Sequence, residues 1–187
     1  MQDVIKLEPA THLKQDGSYI LSYPHLLSYF SERSVLTASD FVCGAHMVYG
    51  WMPTILDLYP AYPSRTLARG AELLQEAKDD GRLTDEEILE LGSLVNNSLV
   101  GASKLLHFVR PDCFAIWDSK VCAFMFERKC GHAKTNQIRT YREYLSALAS
   151  ISHDQRFPTF HNAVNKKLGY EVSKLRAIEL IMYLNSP

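Results

Sequence analysis

The sequence predicts an all-α fold: a single compact multi-helix domain over residues 1–187 with an irregular N-terminal arm. Apolar residues recur at three- and four-residue spacing in one segment after another, the mark of a helix face. Helix-start signals stand at Thr37, Thr84 and Asp118, and stop signals at Gly81 and Gly169. No run alternates long enough for a strand ladder, and there is no internal repeat or low-complexity tract. With 187 residues, 47% of them hydrophobic, the chain can bury a sizeable core. A division into two lobes stays open: residues 1–60 with the C-terminal helices, and residues 64–135.

The elements follow in order. Residues 1–23, with Pro9 and Gly17, read as an arm, irregular or β-like around Tyr19-Ile20-Leu21-Ser22-Tyr23. Pro24 suits a first helical turn and predicts a helix over 24–31. Thr37 with Asp40 predicts the start of another, running through Phe41, Val42, Ala45, His46, Val48 and Tyr49. His46 falls on its apolar face and reads as a core histidine. Gly50-Trp51-Met52-Pro53 interrupts this helix, and Thr54 to Tyr59 resumes it. Tyr59-Pro60-Ala61-Tyr62-Pro63 is the main internal break.

Arg65 to Lys78 is amphipathic and ends at Asp79-Asp80-Gly81. Thr84-Asp85-Glu86-Glu87 is a capping box, with Ile88, Leu91, Leu94 and Val95 as the buried face behind it. Lys129 to Thr135 reads as a polar loop. Helices are predicted over 137–151, from Pro158 to Leu168, and from Val172 to Leu184.

Net charge is −1 but unevenly placed. Residues 1–100 carry 7 Lys/Arg against 14 Asp/Glu, and residues 101–187 carry 13 against 7. A basic second half of this kind suits a DNA partner, or two lobes that attract each other. No apolar run reaches membrane-span length, and the N-terminus lacks a signal-peptide layout, so a cytoplasmic chain with no membrane partner is expected. The four cysteines, Cys43, Cys113, Cys122 and Cys130, are not closely paired and read as free, mostly buried thiols. Cys130-Gly131-His132 offers two ligands without partners, so no metal and no cofactor is expected.

The chemistry concentrates between Val100 and Val121. Gly101 permits a tight turn or a close backbone approach. Ala102, Leu105, Leu106 and Val109 form one face of a helix that Arg110-Pro111 stops. Phe114, Ile116 and Trp117 return to the core, and Asp118-Ser119 caps the next helix. Lys104 has apolar neighbours, which favour the neutral amine a nucleophile needs. A carboxylate at a helix start, Asp118, stays ionised and can stabilise a cationic sugar. Lysine plus aspartate is therefore a set for cleaving an N-glycosidic bond. Each also has a plain structural role, Lys104 as a surface ion pair and Asp118 as a cap.

Gly101-Ala102-Ser103-Lys104, followed by Phe114-Ala115-Ile116-Trp117-Asp118-Ser119-Lys120-Val121, resembles the active-site segment of the helix-hairpin-helix DNA glycosylase superfamily. Within it, the segment is similar to bacterial proteins like 8-oxoguanine glycosylases, which share Lys-Leu-Leu-His, Arg-Pro and then Asp-Ser. The resemblance implies Lys104 as Schiff-base nucleophile and Asp118 as catalytic carboxylate. It implies His107 and Arg110 as local support or phosphate contacts; Trp117, Lys120 and Trp51 complete the candidate substrate- and phosphate-binding set. The alternative is a non-enzymatic helical module that binds a protein or nucleic acid, through its basic half or the Tyr49–Pro53 surface.

Overall fold

The computed structural model describes residues 2–52, 54–61 and 63–187. Among them the regular structure is helical, with two isolated β-bridges and no strand. The helices are α1 (Val4–Leu7), α2 (Ser18–Ser31), α3 (Ala38–Trp51), α4 (Leu67–Asp80), α5 (Asp85–Leu94) and α6 (Leu99–Val109). They continue as α7 (Ser119–Phe126), α8 (His132–Thr135), α9 (Ile138–Ser152), α10 (Phe157–Leu168) and α11 (Lys174–Leu184). No described helix is long and apolar enough to cross a membrane.

Local chemistry sets several ends. Thr37 and Asp40 at α3, and Thr84 and Glu87 at α5, form reciprocal capping boxes. Gly81 closes α4 and Gly169 closes α10 in the left-handed region, at φ 66° and 80°.

α6 is the axis. Nine of its eleven residues are buried, and it packs against α2, α3, α4 and α5. On the other side α11 packs against α1, α7, α9 and α10. Gly101 lies inside α6 rather than in a turn. Its use is close approach, because a Cβ there would run into the Tyr49 hydroxyl from α3.

Several expectations need correction. The irregular piece over 19–23 is the first half of α2, so Pro24 sits inside a helix rather than at its start. Proline has no amide for the carbonyl of Ile20, four residues back. Tyr170 donates its hydroxyl to that carbonyl instead, at 2.9 Å. Residues 54–59 form no helix. Leu58 bridges to Val95, and the Asn96 side chain clasps both the Ile55 carbonyl (3.0 Å) and the Asp57 amide (2.8 Å). Pro53 and Tyr62, named in the predicted breaks, lie outside the described residues.

His46 is exposed, not a core residue. The predicted loop over 129–135 contains the single turn α8. Cys122 and Cys130 are disulfide-bonded, not free: α7 ends at Glu127 in the left-handed region and turns the chain back, with the two Cα atoms 5.9 Å apart. Cys43 is exposed and Cys113 half-buried.

Candidate active site

Residues 114–117 between α6 and α7 belong to no helix or strand yet are 0–2% exposed. Buried backbone outside regular structure must find side-chain partners. His107 Nδ1 meets the Phe114 carbonyl at 2.8 Å, the Tyr141 hydroxyl donates to Ala115 O at 3.1 Å, and the Tyr144 hydroxyl to Ile116 O at 3.0 Å. Ser103 Oγ accepts from the Trp117 amide at 3.2 Å. The strut so formed carries the chain through the core and emerges at Asp118.

Asp118 opens α7, its Oδ1 accepting from the amides of Lys120 (3.0 Å) and Val121 (2.9 Å). Oδ2 lies 3.6 Å from Lys104 Nζ, with the two side chains 14% and 12% exposed. Fourteen residues of separation are thus closed by the strut. Burial lowers the Lys104 amine from its ordinary range, against the pull of Asp118, which favours the ammonium.

The pair sits at a cavity of about 620 Å³. α2 contributes Ser18, Tyr19 and Ser22, the end of α3 contributes Gly50 and Trp51 with Met52 beyond it, and α11 contributes Tyr183. Tyr19 stacks on Trp51 with centroids 3.9 Å apart, and the Trp51 indole donates to the Tyr19 carbonyl at 3.1 Å. Tyr183 lies 6.1 Å from Tyr19, its ring inclined by only 10°. Lys120, exposed, holds its Nζ 4.4 Å over the Tyr183 ring beside the opening.

Four of the seven sequence candidates therefore come together: Lys104, Asp118, Trp51 and Lys120. The other three do not contact this cavity. His107 is wholly buried; because a carbonyl can only accept, its Nδ1 carries the proton for Phe114 and Nε2 accepts from the Tyr23 hydroxyl at 2.8 Å. Burial pushes it down to about 3, so it is neutral and structural rather than a phosphate contact. Trp117 is 0% exposed, its indole donating to Thr135 O at 2.9 Å, and no base can stack on it. Arg110 caps the far end of α6 and donates to Lys78 O at 2.9 Å, away from the pair.

Sequence reasoning missed Tyr19 and Tyr183, and behind them Arg176 and Glu179 of α11, which are 1% and 0% exposed. A signal for the last two exists: from Arg176 to Met182 every other residue is apolar, which leaves no wet face for two charges. Compared with known family models, curated proteins and solved structures, the chain gives no match.

Proposed function

We propose that this chain is a DNA-acting, glycosylase- or lyase-like enzyme of the helix-hairpin-helix class, with Lys104 as nucleophile and Asp118 as its carboxylate. The observation that carries the reading is the meeting of Lys104 and Asp118, 3.6 Å apart, at an aromatic-walled cavity. The order of parts also supports it. α5 and α6 are joined by a tight turn in which Asn96 (φ 53°) and Asn97 (φ 47°) take the left-handed conformation that glycines usually supply. α6 bears the lysine, and an elbow delivers the aspartate at the head of α7.

The chemistry is balanced within these residues. Neutral Lys104 adds to C1′ of an abasic sugar and expels water, forming an imine; on an intact nucleoside the C1′–Nζ bond forms as the C1′–N bond to the base breaks, and the base leaves with the proton that the newly charged Nζ gives up. Asp118, its Oδ1 taken up by two amides at a helix start, turns its other oxygen to the site and offsets positive charge on the sugar. Tyr19, Trp51 and Tyr183 offer ring faces to an extruded base. Lys120 at the opening, and exposed Arg128 and Lys129 beyond α7, suit a phosphate backbone.

The test is borohydride trapping on DNA carrying abasic sites or oxidised bases, with Lys104→Gln as control. A covalent adduct lost in the variant supports the reading. No adduct, with DNA binding that still falls steeply with salt, favours the non-enzymatic binding module. No adduct and no salt-sensitive binding removes DNA from the account and leaves a protein partner.

A further inference from the structure

Arg176 and Glu179 sit one turn apart on α11, fully enclosed, where an all-apolar helix would pack at least as well. Arg176 donates to Glu179 Oε2 and approaches the Tyr19 hydroxyl at 3.4 Å. Its guanidinium carbon lies 4.8 Å from the Tyr23 ring centroid and 5.7 Å from that of Trp51. Tyr19 and Trp51 are walls of the cavity, so this pair backs directly onto the site. Glu179 Oε1, also enclosed, has no hydrogen-bond partner among the described residues. Lys104 and Asp118 line the cavity on one side of Tyr19 and Trp51, and Arg176, paired with Glu179, lies against those same two rings.

We propose that Arg176 and Glu179 are positioning residues that govern how readily Lys104 gives up its proton; this rests on the reading of Lys104 as the amine nucleophile. The sign follows from charge. Glu179 as carboxylate favours the Lys104 ammonium, and Arg176 opposes it. When Glu179 is protonated, Arg176 is left uncompensated and Lys104 shifts toward the free amine. Protonated Glu179 thus favours the free amine, the form a nucleophile needs. Burial pushes Glu179 up to about 7, so its own protonation falls in the neutral range.

The charges that act on Glu179 are Arg176 on its own helix, which donates to it, Asp118 at the head of α7 and Lys104 on α6. Tyr19 and Tyr23 on α2 and Tyr144 on α9 also feel it, and burial holds all three hydroxyls neutral. α1 buries only Val4, and α10 only Phe157, Phe160, Val164 and Leu168, so neither adds a charge.

The experiment is an NMR titration of the full chain without DNA, with 13C/15N-labelled lysine and 13C-labelled glutamate. Lys104→Gln and Glu179→Gln assign the two signals. Glu179→Gln is expected to make the Lys104 ammonium about tenfold easier to deprotonate, a midpoint shift of about one unit. Adding Arg176→Gln returns the midpoint toward that of the unaltered chain. In the unaltered chain the Lys104 signal carries a second inflection at the Glu179 midpoint. An unmoved midpoint in folded Glu179→Gln overturns the proposal. If that variant does not fold, a single-step Lys104 titration in the unaltered chain does so. Because the signal is that of Lys104 itself, a shifted midpoint without a borohydride adduct sinks the glycosylase reading and keeps the pair. An adduct with an unmoved midpoint does the reverse.

Discussion

Lys104 Nζ lies 3.6 Å from one carboxylate oxygen of Asp118, while the other oxygen of Asp118 holds the first amides of α7. One carboxylate thus ties the site lysine to the helix that follows it. The two tasks separate by substitution. Asp118→Asn removes the charge and keeps a capping oxygen; Asp118→Ala removes both. The alanine variant is expected to unfold in urea with about 1 kcal/mol less stability than the asparagine variant. Equal stabilities would show that the cap contributes nothing.

The helix interrupted by Pro24 gives a second test. Tyr170→Phe strands the Ile20 carbonyl and is expected to cost about 1 kcal/mol. Pro24→Ala restores the helical amide to that carbonyl. In that background Tyr170→Phe should cost almost nothing, a coupling of about 1 kcal/mol in the double-mutant cycle. Identical costs in both backgrounds would show that the hydroxyl does not stand in for the missing amide.

The same contact explains where sequence reading stops. The caps at Thr37, Thr84 and Asp118 were legible because donor and acceptor lie within three residues. So were the burial of Ile88, Leu91 and Leu94 and the path from α6 to α7. Pro24 was misread because the group that tolerates it, Tyr170, lies 150 positions from the carbonyl it serves. Residues 54–59 carry helix-like spacing, but the Asn96 side chain and the Val95 bridge take up their backbone groups in place of helical partners. Trp117 stands in the right segment with the wrong task, and of the two roles open to His107, local support or phosphate contact, it takes the first. Their residue types fit a site, and only the buried strut shows that they serve backbone. Arg176 and Glu179 were hidden by the habit of placing every charge of an amphipathic helix in water.

Two glycines in helices should respond oppositely to alanine, which ordinarily stabilises a helix interior by up to about 1 kcal/mol. At Gly50 an added Cβ meets nothing within 4 Å among the described residues, so Gly50→Ala is expected to raise Tm. At Gly101 it meets the Tyr49 hydroxyl, so Gly101→Ala should lower Tm. Tyr49→Phe removes the nearest clashing atom and should recover part of the loss. A rise in Tm at both positions would mean that α3 and α6 do not approach as closely as described.

Stability against pH exposes two buried groups at once. His107 is pushed down to about 3 in the folded chain, so below its ordinary value of 6.5 the unfolded state gains a proton that the folded state refuses. Its contribution is full above 6.5 and is lost as pH falls toward 3. Glu179 is raised from 4.5 to about 7, so its contribution is full below 4.5 and is lost as pH rises through 7. Between roughly pH 4.5 and 6.5 the two slopes oppose and the unaltered chain should show a plateau. Each variant should uncover the other slope. In His107→Gln, stability should fall as pH rises across that window, by at most about 1.4 kcal/mol per unit. In Glu179→Gln it should rise across the same window by a similar amount. Urea unfolding at several pH values reads both, and slopes of the same sign in the two variants would show that these groups do not titrate as their burial requires.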